Sequence, residues 1–299
     1  MRKRRHRARA SLALVVTTLL ATAGCDAFGG GDADGTDSGA NASRSAAGRA
    51  PVWNRSPDSI AAVGDSITRG FDACTVLSDC PEVSWATGSD AKVDSLAVRL
   101  LGVTGAAERS WNYAVTGARM ADLPEQMAQA ATRSPELVTV MAGANDACRS
   151  SARAMTSVAG FRADFEEAMS TLRSALPKTQ VYVASVPNLK RLWSEGRGNQ
   201  LGKQVWKLGI CPSMLRDADD LTHKAVLRRD KVQQRVEAYN TVLKDVCAKD
   251  RRCRFDDNAV FDYDFDTEQL SHWDWFHPSR NGQARLAEIA YRTITTEKP

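Results

Sequence analysis

The sequence predicts an α/β protein: a three-layer α/β/α sandwich around a mainly parallel five-stranded sheet. Three observations lead there. Apolar runs of strand length alternate with helical patterns along the body of the chain, and that alternation is the mark of a parallel sheet covered on both faces. The body is long enough for one substantial core, and no internal repeat divides it. The short motifs that carry chemistry follow strands or sit in the last loop, where sites lie in open parallel sheets.

The elements follow in order. Buried strands are expected at 59–63, 111–115, 137–142, 181–186 and 254–260, each an apolar run. Helices are expected at 92–101, 120–132, 158–176, 227–248 and 280–293. Residues 187–224 break the alternation. Pro187, Gly196, Gly198, Gly202, Gly209 and Pro212 punctuate a stretch that also carries Trp193, Trp206, Leu208 and Met214. It reads either as a surface excursion pinned by Cys211 or as part of a substrate-binding wall.

The formal charge of +4 misleads. Arg2, Lys3, Arg4, Arg5, Arg7 and Arg9 open the chain, and without them 34 basic residues face 36 acidic ones. A body near neutrality does not suggest a nucleic-acid partner. Those six cations and the apolar residues 12–23 read as an export signal over 1–25, too short for a membrane span of roughly 20 residues. Two cleavage readings compete. Ala21-Thr22-Ala23 offers an ordinary signal-peptidase site, which would release a secreted protein. Thr22-Ala23-Gly24-Cys25 resembles the lipobox of bacterial lipoproteins, with Thr22 where Leu is usual, and makes Cys25 the lipidated N-terminus on the outer side of the cell membrane. The following residues, rich in Gly, Ala, Ser and Asp, suit a flexible tether over 26–56 and favour the anchored form.

Cysteine usage agrees. Setting Cys25 aside leaves six, an even number that fits an oxidising compartment. Cys74–Cys80 and Cys247–Cys253 can each close a small loop, which leaves Cys148–Cys211. No cysteine–histidine spacing of the zinc type occurs. Asp262, Asp264 and Asp266 have the opening rhythm of a calcium loop, but Thr267 and Trp273 stand where glycine and glutamate belong, so a solvated acidic loop is expected.

Gly64-Asp65-Ser66 follows the first strand, and a serine in a strand-to-helix turn can present its hydroxyl at the mouth of the sheet. Taken alone, the tripeptide is also a good turn and helix cap. Asp274-Trp275-Phe276-His277 precedes the last helix, with Ser279 or a neighbour as its cap. An Asp three residues before a His can accept Nδ1–H and leave Nε2 free to take a serine proton.

With these two ends in hand, the sequence resembles the SGNH, or GDSL, hydrolase family over most of residues 58–292. Four blocks carry the resemblance in order: Gly64-Asp65-Ser66, the glycine of Asn112-Tyr113-Ala114-Val115-Thr116-Gly117, Gly143-Ala144-Asn145-Asp146, and Asp274 with His277. Residues 84–88, 114–119, 122–124 and 143–148 are similar to the phospholipase-B-like branch. The resemblance implies a flavodoxin-like fold over 57–299 and an exported, monomeric serine ester hydrolase that needs no cofactor or metal. It implies Ser66 as nucleophile, His277 as base and then acid, and Asp274 as orienting carboxylate. The oxyanion hole would comprise the N–H of Ser66, the N–H of Gly117 and the amide of Asn145, while Asp65 and Asp146 brace their loops. The expected substrates are acyl esters, lipids and phospholipids among them. An acetyl esterase acting on polysaccharides is the alternative within the class. A surface lipoprotein that binds acylated ligands without cleaving them is the alternative outside it.

Overall fold

A computed structural model describes residues 53–297. Five strands form the sheet: β1 Ile60–Gly64, β2 Ser110–Asn112, β3 Leu137–Met141, β4 Gln180–Val183 and β5 Cys253–Phe255. They lie in the order β2-β1-β3-β4-β5, and every pairing is parallel. Ile60 stands beside Ser110 on one side and Leu137 on the other, and Leu137 beside Gln180. The three inner strands are buried on both faces, which is why they read as continuous apolar runs rather than alternating ones.

Helices cover both faces. On one side α1 (Leu96–Arg109) packs against α9 (Arg280–Thr295). On the other, α2 (Leu123–Ala131) packs against α4 (Val158–Ala175), and α4 against α8 (His223–Ala248). Caps set several starts: Ser95 Oγ accepts from Val98 N–H, Ser157 Oγ from Gly160 N–H, and Ser279 Oγ from Gly282 N–H.

The expected elements all occur, with shifted ends. The second and fifth strands lie at the sheet edges with one neighbour each and are cut to three residues. The first helix starts at Leu96 and continues to Arg109 across a kink at Gly102, φ 71°. Residues 187–224 contain three short helices: α5 Leu189–Gly196, α6 Gln200–Trp206 and α7 Pro212–Leu215. One further short helix, α3 (Ala144–Ala147), follows β3. No helix among the described residues is long and apolar enough to cross a membrane. The expected export signal, Cys25 and all but the end of the tether lie outside the described residues.

Candidate active site

The site begins where β1 ends against β3. Gly64 has φ 150°, and a Cβ there would stand 2.2 Å from the Met141 carbonyl oxygen, so only glycine fits. The side-chain amide of Gln126, on α2, brackets it: Gly64 N–H donates to Oε1 at 2.7 Å and Nε2 donates to the Gly64 carbonyl at 3.0 Å. Asp65 then turns the chain, its Oδ1 accepting from Ile67 N–H at 3.0 Å. The expected strand-to-helix passage is corrected here. Residues 66–72 run through successive turns, with Phe71 N–H on the Ser66 carbonyl at 3.0 Å, and among the described residues no α-helix begins before Leu96. The left-handed backbone at Gly70 and Asp72 breaks any helical ladder.

The terminal loop brings the other two groups to Ser66. Ser66 Oγ lies 2.9 Å from His277 Nε2, and His277 Nδ1 lies 2.5 Å from Asp274 Oδ2. Asp274 is fully buried, and its Oδ1 accepts from the N–H groups of Phe276 and His277, each at 2.9 Å. The loop is closed by Ser271 N–H on the His277 carbonyl and by the Leu270–Pro278 bridge. Trp275 takes a left-handed conformation at φ 55°. The Phe71 ring stands 5.0 Å from the His277 ring.

This geometry sets the charges. Burial would raise the Asp274 pKa, but the neighbouring imidazole and its backbone donors win and hold it low. Burial would likewise lower the pKa of His277, yet Asp274, with help from Asp72 and Asp65, raises it above the ordinary 6.5. Asp65, whose buried Oδ2 has no partner among the described residues, is pushed up to about 7, chiefly by burial.

Two further segments converge on the same strand ends. Gly117 is exposed with φ 86° and nothing within 4 Å of a Cβ position, and neither its N–H nor that of Ser66 donates among the described residues. Asn145 sits in α3, and its Nδ2 donates to the Ala118 carbonyl at 2.9 Å. That bond fixes the amide beside the Gly117 loop and leaves its second hydrogen available. Asp146 ties the segments together, accepting Met120 N–H at 2.9 Å and Thr156 Oγ–H at 2.7 Å. Asp65 braces only its own turn.

A family profile described as GDSL-like Lipase/Acylhydrolase matches residues 60–290. The chain belongs to this family. Solved structures similar to the GDSL-like chain include a protein described as a GDSL-like lipase from Parabacteroides merdae, 16% identical, covering 82% of this chain and 99% of that one, TM-score 0.48. A family 3 carbohydrate esterase from Clostridium thermocellum is 13% identical over 79% of this chain and 94% of its own, TM-score 0.47. LAE5, an α/β hydrolase from the Lake Arreo metagenome, is 14% identical over 80% and 97%, TM-score 0.46. No curated protein is significantly similar to the chain.

The GDSL-like domain holds three disulfides: Cys74–Cys80, Cys148–Cys211 and Cys247–Cys253. The second joins α3 to the 187–224 excursion, which buttresses the site from two sides. Ser213 Oγ donates to the Ala147 carbonyl at 2.6 Å, and Trp206 Nε1 donates to the Asp274 carbonyl at 2.7 Å. The excursion also lines a cavity of about 520 Å³, which contains neither Ser66 nor His277. Among the described residues, Asp72, Asp274 and His277 offer oxygen and nitrogen atoms within 4.8 Å of one another, but His277 Nδ1 and Asp274 Oδ2 are committed to each other. Asp264 pairs instead with Arg191 at 3.3 Å.

Sequence reasoning missed Asp72, Gln126 and Gln283, and it named Trp206 without its bond to the Asp274 carbonyl. Gln283, fully buried on α9, accepts Trp85 N–H at 2.9 Å and donates to the Ile67 carbonyl at 2.8 Å, so it fixes the turn after Ser66. Both glutamines had one available signal, a polar residue on the otherwise apolar inward face of a helix.

Proposed function

We propose that this GDSL-like hydrolase is an exported serine ester hydrolase acting on acyl esters of lipids, phospholipids among them. The observation that carries the reading is the unbroken relay from Ser66 Oγ to His277 Nε2, and from Nδ1 to a buried carboxylate. A serine hydroxyl is barely ionised at neutral pH and needs such a base. As Ser66 attacks the ester carbonyl, His277 takes its proton, and Asp274 stabilises the imidazolium without taking the proton itself. The carbonyl oxygen becomes an oxyanion facing the N–H of Ser66, the N–H of Gly117 and the free hydrogen of Asn145 Nδ2. His277 then protonates the leaving alcohol, activates water, and the acyl-enzyme is cleared.

An apolar rim supports an acyl-lipid substrate. Val76, Leu77, Val115 and Trp273 are exposed, and each lies on a segment that builds the site: the disulfide loop after Ser66, the Gly117 loop and the terminal loop. The disulfides and the N-terminal signal support export, and Cys25 a lipid anchor that holds a monomer at the membrane. The test is active-site labelling with a fluorophosphonate, followed by hydrolysis of p-nitrophenyl esters, phosphatidylcholine and acetylated xylan. Labelling of wild-type protein but not Ser66→Ala, with turnover of the lipid esters, is the expected result. Binding of acylated ligands without labelling or turnover refutes the enzyme reading, and turnover of xylan alone refutes the lipid one.

A further inference from the structure

The Gly117 N–H, proposed above as an oxyanion donor, belongs to a turn with little of its own to hold it. Val115, Thr116 and Gly117 are exposed, and Ala118 N–H closes the turn on the Val115 carbonyl at 3.0 Å. Gly117 stands third in that turn at φ 86°, the left-handed value that marks type II. Types I and II differ mainly in which way the peptide between their two central residues faces. Here that peptide joins Thr116 to Gly117, so the turn type decides where the Gly117 N–H points. Neither the Thr116 carbonyl nor the Gly117 N–H is bonded among the described residues. Val115, Thr116, Gly117 and Ala118 line a cavity of about 330 Å³, so close packing does not fix the peptide either.

The Thr116 side chain supplies a fixed point. Its hydroxyl donates to Asp79 Oδ1, and Asp79 Oδ2 accepts Arg69 Nε–H at 3.0 Å. Asp79 stands 37 residues before Thr116, in the loop closed by the Cys74–Cys80 disulfide. Arg69 lies in the turns that follow Ser66, with its N–H on the Asp65 carbonyl at 3.1 Å. Two backbone bonds dock the disulfide loop on those turns: Cys80 N–H to the Arg69 carbonyl at 3.1 Å, and Asp72 N–H to the Ser78 carbonyl at 3.0 Å. The Arg69 and Asp79 side chains are only 25% and 32% exposed, and a hydrogen bond to a charged acceptor is of the stronger kind. One carboxylate thus spans from the segment of the nucleophile to the segment of the donor.

We propose that Asp79 is a positioning residue for the oxyanion hole: clamped by Arg69, it holds the Thr116 hydroxyl and so keeps the Gly117 N–H facing as the type II turn sets it. The proposal deepens the serine-hydrolase reading and rests on it. Asp79 touches no reacting atom. Its effect passes through the Thr116–Gly117 peptide, and a donor to developing charge acts on turnover more than on ground-state binding.

The experiment measures kcat and KM on a soluble p-nitrophenyl ester, together with fluorophosphonate labelling rates. The variants are Thr116→Val, Thr116→Ser, Asp79→Ala and the double variant Thr116→Val with Asp79→Ala, each checked for folding by thermal melt. Thr116→Val keeps the shape of an exposed side chain and removes only its hydroxyl. Loosening a donor should cost less than deleting one, so kcat should fall about tenfold, with KM within about twofold and labelling slowed to match. Thr116→Ser retains the hydroxyl and should keep about half of the wild-type kcat or more. Asp79→Ala should lose as much as Thr116→Val, and the double variant hardly more, because both changes remove the same bond. Wild-type kcat in the Val variant overturns the proposal, as does a Ser variant as impaired as the Val one. Losses that multiply in the double variant overturn it too, and so does a raised KM at unchanged kcat, which would make the turn a substrate contact. Should Asp79→Ala not fold, the Val and Ser variants decide by themselves. Wild-type protein that neither labels nor turns over any ester refutes the hydrolase reading, whereas active wild type with unimpaired variants refutes only the role of Asp79.

Discussion

In the proposed mechanism Asn145 serves structure and chemistry together. One amide hydrogen is committed to Ala118, which leaves the other free for the proposed oxyanion. A donor aimed at developing charge matters more in the transition state than in the ground state. Asn145→Ala should therefore lower kcat by about 10²–10³ with a much smaller change in KM, as steady-state kinetics would reveal. Near wild-type kcat would reduce Asn145 to a loop brace. Asp65 makes the opposite point, because its burial works against the folded state. The folded protein binds this proton more tightly than the unfolded chain, so stability falls as pH rises from 3.8 to about 7. At about 1.4 kcal/mol per unit, the loss is on the order of 4 kcal/mol by pH 8. Asp65→Asn carries no such charge and can still accept from Ile67 N–H. Thermal melts should show its stability relative to wild type improving between pH 5 and pH 8, and a difference that does not change with pH would contradict the burial argument.

At the scale of elements, the site is a meeting of strand ends held by elements remote in sequence. Gln126 on α2 grips the end of β1, Gln283 on α9 grips the turn after Ser66, and Trp206 on α6 grips the Asp274 carbonyl. The Cys148–Cys211 disulfide fastens the 187–224 excursion to the helix that carries Asn145, closing a loop of 63 residues. Replacing both cysteines by serine should cost about 2–5 kcal/mol in denaturant unfolding, with the larger share from the freed chain. Because the excursion also holds the terminal loop, the same variant should lose activity at temperatures where it remains folded. Unchanged activity there would mean that Trp206 needs no help from the disulfide to hold Asp274.

For the whole molecule, the sheet provides one open edge of strand ends where all four motif blocks gather, and helices on both faces keep that sheet dry. The exposed apolar residues Val76, Leu77, Val115 and Trp273 and the proposed anchor at Cys25 are what the proposal of an enzyme beside a lipid surface rests on. Cys25→Ser should move the protein from the membrane fraction to the medium while specific activity on a soluble ester stays unchanged. Wild-type protein that is wholly soluble and begins at Gly24 would remove the anchor from this picture.

Much of this was legible in the chain itself. The inner strands announced themselves because burial on both faces demands unbroken apolar runs, as in 137–142, and the long helices because one face of each must be apolar. The triad candidates were legible for a related reason: Asp274 and His277 are near in sequence, and the chemistry restricts which residue types can serve. The edge strands were less clear, since one neighbour each leaves only three residues in the ladder. The turns after Ser66 were misread as a helix start because Asp and Ser cap and turn equally well, and the left-handed backbone at Asp72 has no signature in residue type. Which carboxyl stands behind Asp274, and which indole holds its carbonyl, depended on packing between segments some 70 to 200 residues apart. Local propensity and pattern carry no information about such pairings. They are decided only when the sheet closes and the excursion docks, because a buried polar atom takes whatever partner the fold brings within reach.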